Sequence, residues 1–140
     1  MLDVWGYLGL GCAFYMTGVV WFAQLVHYPL LDRGNPGDFP AFARAYQRRT
    51  LWVVAPGLTG EIASAVMLIW LWPSPQSIAG FAALTAVWVS TCFWVIPAHM
   101  KLERGYDREV HQSLVRRNLP RALLWTLRSM VMTWTVITLP

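Results

Sequence analysis

Four stretches of the chain, at about residues 5–28, 51–72, 77–98 and 119–139, are apolar over twenty residues or more. A helix of that length crosses a hydrocarbon core of ~30 Å. Their sparse polar residues recur at helical spacing rather than alternating as a half-buried strand would require. The pattern therefore predicts an all-α fold: a polytopic membrane protein, one domain over 1–140, built as a four-transmembrane-helix bundle. The first run has no basic segment before it and is too long for the apolar core of a signal peptide. No low-complexity tract and no clear repeat interrupts the pattern.

The connections alternate in length. Residues 29–50 and 99–118 are long and polar, whereas Pro73-Ser74-Pro75-Gln76 is a tight uncharged turn. Asp38-Phe39-Pro40 reads as a helix start, with Phe39, Phe42 and Tyr46 on one face. We expect that segment to lie along the cytoplasmic interface as a helix feeding the second span. Asp107 is placed to cap a helix that carries His111, Leu114 and Asn118 into the fourth span. Pro56-Gly57 and Pro120 fall inside helical patterns and should bend them.

Composition sharpens this picture. Hydrophobic residues make up 56% of 140 and charged residues 13%, against roughly a quarter charged in soluble domains. That balance excludes a disordered chain, a nucleic-acid partner of the usual kind and almost any soluble enzyme. The net charge is +4, and its distribution matters more than its size. Arg33, Arg44, Arg48, Arg49, Lys101, Arg104, Arg108, Arg116 and Arg117 all lie in the two long connections, while the short turn and both termini carry no Lys or Arg. The positive-inside rule then places the long connections in the cytoplasm and both termini outside, in an inner (plasma) membrane. Trp5, Tyr7, Trp70, Trp72 and Trp134 would form the outer aromatic belt, and Trp52, Trp94 and Tyr28 the inner one. Cys12 and Cys92 sit in apolar runs without metal-type spacing and read as small core residues.

Polar residues inside the spans carry the candidate chemistry. Glu61 lies ten positions past Leu51, about 15 Å of helix, and Arg128 lies nine past Leu119. At equal depth, two ionisable groups should face the bundle interior and pair. His111, Asn118, Arg121, Trp125 and Arg128 share one face of the fourth helix. Thr17, Gln24 and Tyr28 share a face of the first, with His27 one step round. On the third, Cys92 and His99 are seven apart, with Pro97 setting His99 off from the span. By depth these residues describe a funnel open to the cytoplasm. His27, His99 and Asn118 form its mouth, Gln24 and Arg121 lie below, and Glu61 and Arg128 form the floor.

Three chemistries suit such a funnel. His27 and His99 could be axial ligands of a haem; both histidines with Glu61 could hold a transition metal, although no HxxH or ExxH spacing supports it. Alternatively Glu61 and His99 move protons, while Gln24, Asn118, Arg121 and Arg128 bind a small lipophilic or anionic substrate. Against each stands a plainer role: an ion pair locking two helices, an arginine reaching for headgroups, a histidine at a helix end making one hydrogen bond. Gly6, Gly9, Gly11, Gly18 and the stretch from Gly57 through Gly60 to Ser64 offer small-residue faces for close helix contact, within the chain or in a homodimer.

With these residues in hand, the chain resembles a family of small four-span bacterial integral membrane proteins whose activity is unassigned. The resemblance runs through Gln24-Leu25-Val26-His27-Tyr28-Pro29, Trp52-Val53-Val54-Ala55-Pro56 with Glu61 following, and Pro97-Ala98-His99. It continues through Leu102, Gly105, Tyr106-Asp107, His111, Leu114-Val115, Asn118, Arg121, Trp125-Thr126 and Arg128. The chain departs from that pattern at Leu119-Pro120, where Trp-Ile is expected, at Tyr46, where a His often stands, and at Val95, where a Gln is usual. If that His is a ligand in the family, a metal site here lacks it. A fainter similarity, in helix number and size, is to the anthrone-oxygenase-like membrane proteins. Beyond the four-span fold, the resemblance implies no activity. The residues suggest a membrane-embedded enzyme or cofactor-binding protein, with a small proton-coupled transporter or a structural subunit of a membrane complex as alternatives.

Overall fold

In a computed structural model, residues 1–31 and 39–140 are described. Among them every regular element is helical. Four long helices follow one another: α1 (Leu2–Leu30), α2 (Phe39–Leu71), α3 (Pro75–Leu102) and α4 (Arg108–Ile137). α1, α2 and α3 are long and apolar enough to cross a membrane. α4 is as long but is diluted by its arginines, serines and threonines. Asp38 and Arg33 lie outside the described residues.

Local chemistry fixes several helix ends. Ser74 caps α3 in a capping box with Ser77, whose hydroxyl donates to the Trp72 carbonyl at 2.6 Å. That cluster makes the α2–α3 turn tight. Asp107 caps α4 as its position suggests, its carboxylate accepting from the Glu109 and Val110 amides at 2.8 and 3.1 Å. Pro56 and Pro120 lie inside helices that continue past them.

Two other prolines have a different effect. The helix widens into a π turn over Ala23–His27, just before Pro29, and again over Thr91–Val95, just before Pro97. In each case the residue before the proline donates five positions back, Tyr28 to the Ala23 carbonyl and Ile96 to that of Thr91. The wider turn relieves the clash between a proline ring and the carbonyl four residues earlier, and the helix runs on. His99 is thus not set apart from its span by Pro97, because α3 continues to Leu102.

The expected interfacial helix is not a separate element. It forms the first turns of α2, which runs unbroken for 33 residues. Between Ala41 and Ala55 the sequence holds no glycine or proline to end it.

The four helices alternate in direction. α1 packs antiparallel to both α2 and α4, and α3 to α4, leaving the α2–α3 seam the more open one. Small residues set the α1–α2 distance: a side chain at Gly9 would meet Ser64 and Met132, one at Gly57 would meet Met16 and Tyr15, and one at Gly60 would meet Cys12. Of the glycines on α1, Gly6 and Gly9 are turned inward, while Gly11 and Gly18 have nothing near them. The α1–α4 contact is polar at intervals. Thr17 bonds the Trp125 carbonyl and the Ser129 hydroxyl at 2.9 and 2.8 Å, and Trp21 donates to Thr126 at 2.9 Å.

Three apolar layers fill the interior. Ala13, Leu68 and Met132 lie at the end holding both termini. Met16, Val20, Leu84, Val87 and Trp125 fill the middle, and Tyr28, Phe39, Val95, Leu102 and Leu114 the end holding the two long connections. The outside is also apolar: Trp70 is 80% exposed, Trp52 79% and Phe93 72%. Two residues depart from expectation. Tyr28 is 3% exposed and belongs to the core, not to an aromatic belt. Cys92 is exposed, and the π turn that contains it adds one residue to the period before His99, so the two do not share a face. The inward positions of α3 run Gly80, Ala83, Val87, Ser90, Val95, Ala98 and Leu102, with a step of five where the others are three or four.

Candidate functional site

Polar side chains meet inside the bundle at two levels on α4, with Trp125, fully buried, between them. Arg121 lies one turn to its connection side and Arg128 one turn to its terminal side.

At the terminal level, Arg128 Nε donates to Glu61 Oε2 at 2.8 Å, and both residues are sealed, at 1% and 0% exposure. The predicted contact is therefore present. Arg128 also lies against α3 at Gly80, where any side chain would strike its Nη1. One guanidinium thus ties α4 to α2 and α3 at once. Glu61 Oε1 and Arg128 Nη2 have no protein partner. No solvent reaches this pair, and neither residue lines any recess described below.

At the connection level the arrangement differs. Arg121 Nη1 donates to Asn118 Oδ1 at 3.1 Å, Asn118 Nδ2 donates to Gln24 Oε1 at 2.9 Å, and Gln24 Nε2 donates to the Val115 carbonyl at 3.2 Å. This relay between α1 and α4 consumes both amide side chains. Asn118 and Gln24 therefore hold Arg121 in place and have little left to offer a ligand. Arg121 is buried enough that its Nε is solvent-free and unpartnered, and it faces the Tyr28 and Tyr46 phenols and the His99 ring.

His99 Nε2 and the Tyr28 hydroxyl are hydrogen-bonded at 3.2 Å, and the His99 carbonyl accepts from Gln47 Nε2 at 3.3 Å. These groups surround a cavity of about 210 Å³ in the α2–α3 seam. Tyr28, Tyr46, Gln47, Thr50, His99 and Arg121 supply its polar wall, and Leu51, Val54, Ile96 and Met100 its apolar rim. No Asp or Glu is in the lining. Arg121 is thus a cation beside a partly open cavity whose described lining holds no carboxylate to balance it.

His27 is placed elsewhere. Its ring stacks on Tyr46, centroids 4.1 Å apart and planes within 11°. It lines a second recess of about 220 Å³ between α1 and α2, with Arg49, Phe22 and Val53. Tyr46 and Thr50 are common to both recesses, and the Tyr46 ring is 6.4 Å from that of His99. His27 and His99 therefore open on different spaces, which does not suit a pair of axial ligands. Glu61 joins neither, and among the described residues no three His, Cys, Asp or Glu side chains form a metal-like group.

His111 serves the fold. Its Nε2 bonds the Tyr28 carbonyl at 2.7 Å, and a carbonyl only accepts, so His111 carries its proton on Nε2. It closes the last turn of α1, with Tyr106 against its other nitrogen at 3.5 Å.

Sequence reasoning missed Tyr46 and misplaced Tyr28. The signals for Tyr46 were its position on the face of Phe39 and Phe42 and its place where the resembled family often has a His. The chain matches no family model, no curated protein and no solved structure.

Proposed function

We propose that the chain is a four-span protein of the bacterial inner membrane, with its long basic connections cytoplasmic, and that the α2–α3 cavity is the site of a membrane-embedded enzyme acting on a small lipophilic anion. The apolar outer surface and the three apolar helices support insertion. α4 joins them as the fourth span because Asn118, Trp125, Arg128, Ser129 and Thr135 are all buried against the other helices, which is how a polar stripe is tolerated in lipid.

The observation that carries the reading is Arg121: a cation fixed by a hydrogen-bond relay, with no counter-charge among the described residues, facing a cavity with an apolar rim. An anionic ligand entering through the seam supplies the missing charge, and charge developing on its oxygen during reaction is stabilised by the guanidinium. His99 is the group that accepts or returns a proton, oriented by the Tyr28 hydroxyl. Glu61 has the structural role its pairing with Arg128 supports. That pairing also argues against the carrier reading, which needs a membrane glutamate free to titrate.

Benzoate, a small aromatic carboxylate, tests the site. The purified full chain is expected to bind it, and Arg121→Gln to weaken binding about 10- to 100-fold, the loss expected for one charge-assisted hydrogen bond. His99→Gln should retain binding within a few fold. Equal binding by Arg121→Gln, or none by the unmodified chain, would overturn the reading.

A further inference from the structure

A third recess lies on the opposite side of α3, in the groove it forms with α4 near the long connections. Its volume is about 360 Å³, and Lys101, Arg116, Arg117, Ser113, Glu109 and Trp94 line it with Pro97, Ala98 and Val110. None of these residues belongs to the α2–α3 cavity. Lys101 comes from the last turn of α3, whereas Arg116 and Arg117 come from α4, so cations from two helices converge on one depression. The lining holds three cations against one carboxylate, and among the described residues none of the three is in an ion pair.

The position of the recess along α3 is equally specific. Trp94, 44% exposed, stands on its wall, and Phe93 and Ile96 beside it are exposed apolar residues. Lys101 lies two turns further on. Within that distance the surface passes from apolar side chains to converging positive charge, with an indole at the boundary. Basic depressions between helices, at the level where Trp is favoured, suit an anionic phospholipid headgroup.

We propose that this α3–α4 recess is a binding site for the phosphodiester headgroup of an anionic phospholipid of the cytoplasmic leaflet. Arg116, Arg117 and Lys101 hold the phosphate, Ser113 donates to it, and Trp94 packs against the glycerol region. The inference goes beyond the α2–α3 cavity and shares no residue with it. The two sites can therefore fail their tests separately.

The test is native mass spectrometry of the detergent-solubilised full chain with equal amounts of phosphatidylglycerol and phosphatidylcholine. Phosphatidylglycerol is expected to be retained in preference, and the triple variant K101Q/R116Q/R117Q to reduce that preference about tenfold. The triple variant R44Q/R48Q/R104Q removes the same charge from exposed positions outside the recess and is expected to keep the preference. Equal loss in both variants would show a general charge effect and overturn the site, as would no preference in the unmodified chain. Displacement of the lipid by millimolar inorganic phosphate would reassign the recess to a soluble phosphate and overturn the lipid claim. Circular dichroism of both variants should show unchanged helix content. If only the recess variant loses helix, R116Q/R117Q alone must show a partial loss of preference, and full retention there overturns the proposal.

Discussion

Arg121 and Arg128 stand seven residues apart on one face of α4, yet their surroundings differ. Arg128 meets Glu61 across a 2.8 Å hydrogen bond in a sealed space. Arg121 meets neutral partners: an asparagine, two phenols and a histidine. Trp125 and the layer formed by Met16, Val20, Leu84 and Val87 separate the two levels. A buried cation with its counter-charge supplied is finished chemistry and holds helices together. Arg121, half-buried beside a cavity, has no carboxylate partner among the described residues, and in the proposed function it is where the anion binds. Residue type alone does not distinguish the two arginines; the partner set does.

The largest effect should come from unbalancing the sealed level. Arg128→Met leaves Glu61 buried without a partner and should lose about 3–5 kcal/mol of stability, whereas the double variant Glu61→Leu/Arg128→Met should lose far less. Unfolding in detergent or bicelles measures both. If the double variant falls as far as the single one, the pair has a role beyond mutual neutralisation.

Next in size is the α1–α2 contact. Gly9→Ala pushes a methyl group into Ser64 and Met132 and is expected to cost about 1–3 kcal/mol, as overpacking generally does. Gly11→Ala, which meets nothing, should be neutral or slightly stabilising. A reversed order would mean that α1 presents a different face to α2.

Smaller effects sharpen the comparison at the open level. Asn118→Leu breaks the relay that holds Arg121 and should cost about 1 kcal/mol of stability, near the upper range for interhelical hydrogen bonds in membranes. It should also weaken benzoate binding several-fold, because the guanidinium is then free to turn away. Thr17→Val removes both α1–α4 hydrogen bonds of its hydroxyl and should cost about 0.6–1 kcal/mol, with benzoate binding unchanged. Weakened binding in Thr17→Val would mean that the relay extends further along α1 than its hydrogen bonds indicate.

The sequence made the regular parts of this molecule legible. The buried face of α4 follows a helical period without interruption from His111 to Thr135, so residues one or two turns apart could be placed together by counting. The Glu61–Arg128 contact followed from equal depth on two helices. What could not be counted was whatever the π turns displace. One inserted residue over Thr91–Val95 breaks the seven-residue spacing of Cys92 and His99, so the two do not share a face. The separate interfacial helix failed for the opposite reason, since nothing between Ala41 and Ala55 stops α2. Tyr46 was obscure because its role is a ring stack and a shared wall, and neither leaves a mark in polarity or spacing. The separation of His27 from His99 depends on that same ring.

Three histidines make the central claim open to one direct measurement. The 15N-histidine spectrum of the full chain should hold three imidazoles, and His99→Gln identifies one of them. Benzoate is then titrated into the unmodified chain, the Glu61→Leu/Arg128→Met variant and the Arg121→Gln variant. The account predicts that the His99 resonance shifts in the first two and stays still in the third. A shift that survives in Arg121→Gln but disappears in the Glu61→Leu/Arg128→Met variant would contradict it, and would place the functional charge at the level assigned here to structure.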